Sequence, residues 1–374
     1  MSGKVICIVM GSHILETMGG AQLQAHHFAN YAVSKGYRVY YLCPTKTELR
    51  PEGYQVVSLG PRSFIYRWTR SGDYFRLMEL FDQLKPDFIY QRVLTAHTGI
   101  SALYCRRKSN ACRMIYHIAN EKDVNGERTR VRFAEVLRIF PVLEKLMNRI
   151  GLRYTNYVVA QTNTQHLLLK DLTGRESDHV MSNVFVPAAA PGVARSSSEG
   201  RLKVLWVSNL KEQKRPELVF EVADHLKGNS NIEITMVGRP YSNGADQQRF
   251  VDGLQARHNV RYVGEKTAVE VEEMMMDSDL FLSTSRIEGY PNTFVQAFNY
   301  GLPVASYEVD IDGLIQSQGF GCVSDNIAGL AQYIEGVSQG GNLTEDYSQK
   351  IVSFAQREYG VSNFDQVLEW VEAG

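Results

Sequence analysis

The segment VLWVSNLKEQKRPELVFEVA sets Lys211, Lys214 and Arg215 in one short loop, between an apolar run and a helical pattern that Pro216 opens. Cations at the carboxyl end of a strand, beside a helix N-terminus, suit a diphosphate, because ligands of open parallel sheets bind at that edge. A solvated basic loop is the plainer reading of the same residues. Further along, DLFLSTSRIEGYPNTFVQAFNYGLPVAS reads as strand, loop, helix, strand. Ser283, Thr284 and Ser285 close the strand, Glu288 lies in the loop, a helix begins near Pro291, and Gln296 falls on its second turn. A carboxylate there can accept hydrogen bonds from sugar hydroxyls, while the first-turn amides of Asn292, Thr293 and Phe294 are open to a phosphate. An acidic residue answering the helix dipole would look the same. Near the start, Gly19-Gly20 follows the first apolar strand and precedes a helix, where backbone amides can approach an anion. No Walker or GxGxxG pattern surrounds the pair, so an ordinary turn explains it equally well.

These residues need a scaffold, and the alternation along the chain supplies one. KVICIVM, RVYYLCP, DFIYQR, RMIYHI and YVVAQT, then LKVLWVS, IEITMVG, VRYVG, DLFLSTS and LPVASY, are short apolar runs separated by helical patterns. That is how parallel strands covered on both faces read, so the class is α/β with two sheets. PAAAPGVARSSSEG (187–200) has a linker's composition. The expected organisation is therefore a domain over 1–186, a linker over 187–200, a second domain over 201–360, and a helix over 361–374. That helix carries Phe364, Val367, Leu368 and Val371 at helical spacing and must cover an apolar surface, with the first domain a candidate.

The order of glycine turn, lysine loop and EGYPNTFVQAFNYGLPV resembles the retaining nucleotide-sugar glycosyltransferases of family 4, within group 1, over nearly the whole chain. The resemblance implies the GT-B architecture, two Rossmann-like domains with parallel sheets facing across a cleft. It implies that the Gly19 and Gly20 amides approach the donor phosphates and that Lys214 neutralises the diphosphate leaving group. Glu288 would contact the transferred sugar, with Tyr290, Pro291, Asn292 and Thr293 around sugar and phosphate, and His117 would face the donor sugar. Two positions depart from the family pattern: Asn209 stands where an arginine is usual, and Gln296 replaces the second motif glutamate. Glutamine can still hydrogen-bond a ribose diol, and Arg215 can take up part of the leaving-group charge. Gly238 and Gly264, each ending a strand of the second domain, are expected to line the base pocket, or simply to turn the chain. The implied donor is a UDP or GDP sugar, the acceptor a glycan or lipid-linked molecule, and the product a cell-surface polysaccharide or glycoconjugate. No cofactor and no metal are called for: Asp310-Ile311-Asp312 reads as a surface turn, and His26, His27 and His97 lack ligand spacing. An epimerase of the same fold and a non-catalytic nucleotide-sugar binding protein are the competing readings.

Bulk properties bound these readings. At 374 residues two domains are the norm, and 40 basic against 41 acidic residues leave a net charge of -1, with no global field for nucleic acid. Five cysteines without a CxxC pair fit reduced thiols, and the apolar run of MSGKVICIVMG is too short for a signal peptide or a span. The expectation is a cytoplasmic protein, resting at most on the inner face of the membrane. Residues 127–153 carry a local excess of +4 and apolar residues at helical spacing, interrupted by Pro141. A basic amphipathic helix of this kind can lie on an anionic membrane or serve as a core helix with a solvated face. The stretch 63–76, mixing aromatics with arginines, could be an acceptor loop or a membrane contact.

Overall fold

The computed structural model describes residues 3–17, 19–60, 73–108, 111–131, 139–188, 200–340 and 343–372. The chain divides into two compact units, one of Met1–Val184 with Val361–Gly374, the other of Phe185–Gly360. Residues 189–199, most of the expected linker, lie outside the described residues, as do 63–72 and 132–138. Phe185 and Ala188, just before them, bond to the Tyr359 carbonyl (2.8 Å) and the Glu272 carboxylate (2.8 Å), and so count with the second unit.

In the first unit β1 (Val5–Val9), β2 (Arg38–Cys43), β3 (Gln55–Ser58), β4 (Phe88–Arg92), β5 (Arg113–His117), β6 (Tyr157–Ala160) and β7 (His179–Val180) form a parallel sheet ordered β3-β2-β1-β4-β5-β6-β7. Every residue of β1 and β4 is buried, since helices cover both faces. One face packs under α1 (Gly20–Ser34) through Ala25, Phe28, Ala29 and Ala32. Helix α13 (Asn363–Glu372) lies on the same face, Phe364 edge-on to Phe28 at 5.3 Å, with Tyr31 donating to Asp365 (2.6 Å). The other face carries α2 (Tyr74–Leu84), α3 (Ala96–Arg107), α4 (Ile139–Tyr154) and α5 (Asn163–Thr173). Helices α3 and α4 approach closely because Gly99 and Gly151 present no side chains: a Cβ on Gly99 would stand 2.2 Å from the Met147 carbonyl oxygen.

The second unit repeats the plan. Strands β8 (Leu202–Val207), β9 (Ile232–Val237), β10 (Val260–Tyr262), β11 (Leu280–Ser283), β12 (Val304–Tyr307) and β13 (Gly321–Ser324) pair in parallel as β10-β9-β8-β11-β12-β13. Around them lie α6 (Glu217–Leu226), α7 (Gly244–Gln255), α8 (Ala268–Met276), α9 (Asn292–Asn299), α10 (Leu314–Gln318), α11 (Ile327–Ser338) and α12 (Glu345–Glu358). The order reverses between β1 and β4 in one sheet and between β8 and β11 in the other, the positions at which doubly wound sheets open a crevice.

Three expectations change. Strands β3, β7 and β13 were not visible as apolar runs: they sit at sheet edges, two to four residues long and at most half-buried. The basic stretch 127–153 is not one helix, since 127–131 are turns and the described helix covers Ile139–Tyr154. Asp310 is more than a surface turn: its carboxylate accepts from the Ile315 (2.8 Å) and Gln316 (3.3 Å) amides at the start of α10.

Candidate active site

At the reversal point of the second sheet, the loop after β8 and the loop after β11 meet. A 3-10 turn, Glu212–Lys214, carries Lys214, whose ammonium forms an ion pair with Glu288. The two side chains are 22% and 17% exposed, so the pair is largely withdrawn from water but reachable. Thr284, fully buried, fixes the geometry: its hydroxyl accepts from the Trp206 indole (2.9 Å) and donates to the Lys214 carbonyl (2.8 Å). The Arg286 amide closes the junction on the Gln213 carbonyl at 3.1 Å.

Glu288 precedes α9, which Pro291 opens in an extended conformation without any side-chain cap. The uncapped terminus leaves partial positive charge at the loop. Not all of the expected amides are open, since Phe294 N donates to the Pro291 carbonyl at 3.1 Å in a tight first turn. Gln296 is half-buried, and its side chain makes no hydrogen bond among the described residues. Tyr290 turns its hydroxyl to Tyr359 (3.1 Å) and packs in the core behind the loop.

Arg215 takes a left-handed backbone (φ 46°), lies over the Tyr307 ring at 4.5 Å, donates to the Thr284 carbonyl (3.2 Å) and pairs with Glu308 (2.8 Å). Its charge is thus committed to bracing the loop. Asn209 accepts from the Arg239 amide (3.2 Å) and ties the β8 edge to the β9 edge. Gly238 is required there: its φ is 150°, and an added Cβ would lie 1.7 Å from the Ser208 carbonyl oxygen. Its amide donates to the Gly264 carbonyl (2.9 Å), and Gly264 turns the chain at φ 78°. Three neighbouring strand ends are therefore bonded into one floor.

The remaining site residues lie in the first unit. Gly19 is extended (φ -160°), a backbone any residue adopts, and Gly20 begins α1. His117 ends β5 and is fully buried, with Nδ1 bonded to the Tyr90 hydroxyl at 2.9 Å. Burial first, then the Arg92 guanidinium, holds its pKa well below the usual imidazole range, so the ring is neutral. Three of the other histidines, His13, His26 and His97, are held by side-chain hydrogen bonds. His97 pairs with Asp73 (2.7 Å), while His13 and His26 both bond the Tyr54 hydroxyl at 2.7 Å. Among the described residues no group of three or more His, Cys, Asp or Glu side chains could hold a metal ion, and no helix is long and apolar enough to cross a membrane. None of the five cysteines forms a disulfide.

The lysine loop, the motif loop and the strand-end floor fall within residues 194–352, which match the family described as glycosyl transferases group 1. That match covers a stretch within the second unit and makes it similar to a group 1 glycosyl transferase domain. Across the whole chain the fold is that of GT-B glycosyltransferases. Sucrose-phosphate synthase from Thermosynechococcus elongatus superposes with a TM-score of 0.75 at 12% identity, over 99% of both chains. HepE of Anabaena, in complex with UDP-glucose, gives 0.74 at 16% identity over 99% of this chain and 100% of the other. WaaG, a glycosyltransferase involved in lipopolysaccharide biosynthesis, gives 0.73 at 14% over 99% and 100%. At these identities the likeness establishes the fold alone. No curated protein matches the chain in sequence.

Sequence reasoning about the second unit missed how Trp206, Thr284 and Glu308 hold its two loops. Thr284 was noticed only as the end of a strand, and nothing local shows that its hydroxyl reaches the lysine loop. In the first unit it missed Arg92. The signal was present, because Gln91-Arg92 ends an otherwise apolar strand run, FIYQR.

Proposed function

We propose that the chain is a retaining hexosyltransferase that moves a sugar from a UDP or GDP sugar to a glycan or lipid-linked acceptor in cell-surface polysaccharide or glycoconjugate synthesis. The observation that carries this reading is the Lys214–Glu288 pair at the reversal point of the second sheet, beside the uncapped terminus of α9. A donor diphosphate competes with Glu288 for Lys214, and the displaced carboxylate turns to the sugar hydroxyls. As the bond from the anomeric carbon to phosphate breaks, negative charge grows on the diphosphate, and Lys214 with the Asn292 and Thr293 amides stabilises it more than the ground state. The acceptor oxygen bonds to the same face of the anomeric carbon, and its proton passes to the departing phosphate oxygen. Gly238, Gly264 and Asn209 floor the nucleotide, Gln296 takes the ribose, and Arg215, Tyr290 and Pro291 brace the loops around them. Gly19, Gly20 and the neutral His117 serve phosphate and sugar from the first unit. The UDP-glucose complex of HepE favours UDP as the nucleotide.

A lipid-linked acceptor accords with the outer side of α4, where Phe140, Leu143 and Leu146 are 42%, 37% and 49% exposed beside exposed Arg149 and Arg153. Such a face supports contact with the anionic inner leaflet of the cytoplasmic membrane.

The test is transfer from UDP-glucose and related donors by the wild type, Lys214→Ala and Glu288→Gln, with the product's anomeric configuration read by NMR. Each substitution is expected to lower kcat by about 100- to 1,000-fold, with the fold retained. Rates unchanged in both variants would overturn the site, and an inverted product would overturn retention.

A further inference from the structure

The first unit buries a cation that this chemistry leaves unused. Arg92 ends β4, is 2% exposed, and pairs in register with His117 on β5, so both side chains leave the sheet on one face. Its Nη2 donates to Asn183 Oδ1 at 3.0 Å. Its Nε and Nη1 have no well-formed hydrogen bond, and among the described residues no carboxylate pairs with it. A guanidinium sealed from water without a counter-charge is expensive to keep. The backbone beside it is strained as well: Val93 holds φ 67°, a conformation β-branched residues adopt only under constraint. Two independent costs fall on adjacent residues at the carboxyl edge of the sheet.

What the cation acts on is the pair of rings beside it. Tyr90, on the same face of β4, bonds its hydroxyl to His117 Nδ1 at 2.9 Å. Arg92 acts on both rings: with burial it disfavours the charged imidazole, and at Tyr90 it opposes the rise that burial causes. A guanidinium offers only donors, so the phenol turns its lone pairs to the cation and its hydrogen to Nδ1, leaving the imidazole proton on Nε2. We propose that Arg92 is a positioning residue that, through Tyr90, fixes His117 as the neutral Nε2–H tautomer and so lets it donate a single hydrogen bond to the donor sugar. This rests on the reading of His117 as a sugar-facing residue. The other groups acting on the ring are His179 from β7 and the Met181 backbone, of which His179 works with Arg92 and Met181 against it.

The experiment is a nitrogen-15 NMR spectrum of the histidine-labelled full chain, as wild type, Arg92→Met and Arg92→Lys, with transfer kinetics on each. In the wild type His117 is expected to show an unprotonated Nδ1 and a protonated Nε2 from about pH 8 to about pH 5.5, where an ordinary imidazole titrates. Arg92→Met should show mixed tautomers and titration within that range, and a kcat lower by about 10- to 100-fold at little-changed donor KM. Arg92→Lys should keep the wild-type tautomer and recover part of the rate. A charged or Nδ1–H ring in the wild type overturns the proposal whether or not the variants fold, as does an unaltered spectrum in Arg92→Met. The spectra need no substrate: a tautomer lost in Arg92→Met while even the wild type transfers no sugar supports the positioning and overturns the transferase reading instead.

Discussion

Lys214 and Glu288 stand 74 positions apart, and the residue that brings them into contact is neither of them. Thr284 accepts from Trp206 and donates to the Lys214 carbonyl inside a fully buried junction. Thr284→Val keeps the shape but leaves an indole N–H and a carbonyl without partners, and should cost about 2 kcal/mol. Chemical denaturation checks the loss, and steady-state kinetics should show a raised donor KM as the lysine loop slackens. An unaltered denaturation midpoint would mean that the loop is held by Arg215 and the Arg286 amide alone. The departures from the family pattern also acquire a physical account at this scale. Asn209 provides an acceptor for the Arg239 amide, and Arg215 is occupied by Glu308 and Tyr307. On the proposed transferase reading, Lys214 and the α9 terminus would therefore carry most of the leaving-group charge.

Among the helices, glycine has opposite meanings at two places. Gly99 in α3 faces the Met147 carbonyl oxygen, 2.2 Å from where a Cβ would sit, and that neighbour is backbone and cannot swing away. Gly336 in α11 is exposed, with nothing within 4 Å of an added Cβ. Replacing helical glycine by alanine gains about 1 kcal/mol of propensity, whereas forcing an extra carbon into a packed crossing costs about 1–3 kcal/mol. Gly336→Ala should therefore raise the melting temperature and Gly99→Ala should lower it. Melts of the two variants side by side check the pair, and a stabilising Gly99→Ala would mean that α3 and α4 can separate without loss.

Taken as a whole, the molecule concentrates its depressed histidines in the first unit. Burial, with His26 adding to it, lowers the pKa of both His13 and His27 to about 4, and burial lowers that of His117 well below the usual range. The unfolded chain takes up protons on these residues near pH 6.5 while the folded unit does not. Stability then rises with pH across that window and is lost as the pH falls from about 6.5 toward 4. Amide exchange followed by mass spectrometry should show β1 to β5 losing protection at about pH 5 relative to pH 7. Equal protection at both would mean that the imidazoles titrate normally in the fold.

Much of this was legible in the chain. Apolar runs of strand length betray strands buried on both faces, and proline before a helical pattern marks the start of α9, so the α/β class and the loops bearing Lys214 and Glu288 follow from local pattern. Edge strands such as His179–Val180 escape because a short, half-exposed segment has no periodicity to show. The surface under α13 was open in the sequence, since an amphipathic stripe states that it must be covered but not by what; the fold lays Phe364 on Phe28. In the same way, the apolar run FIYQR announces a strand, but only its register against β5 puts Arg92 beside His117. Periodicity is a property of neighbours along the chain, whereas pairing depends on which strands lie side by side and in what register. The sequence by itself determined the buried strands and their order, and the tertiary structure alone decided where the edge strands lie, that Lys214 meets Glu288 and that a buried arginine faces the histidine.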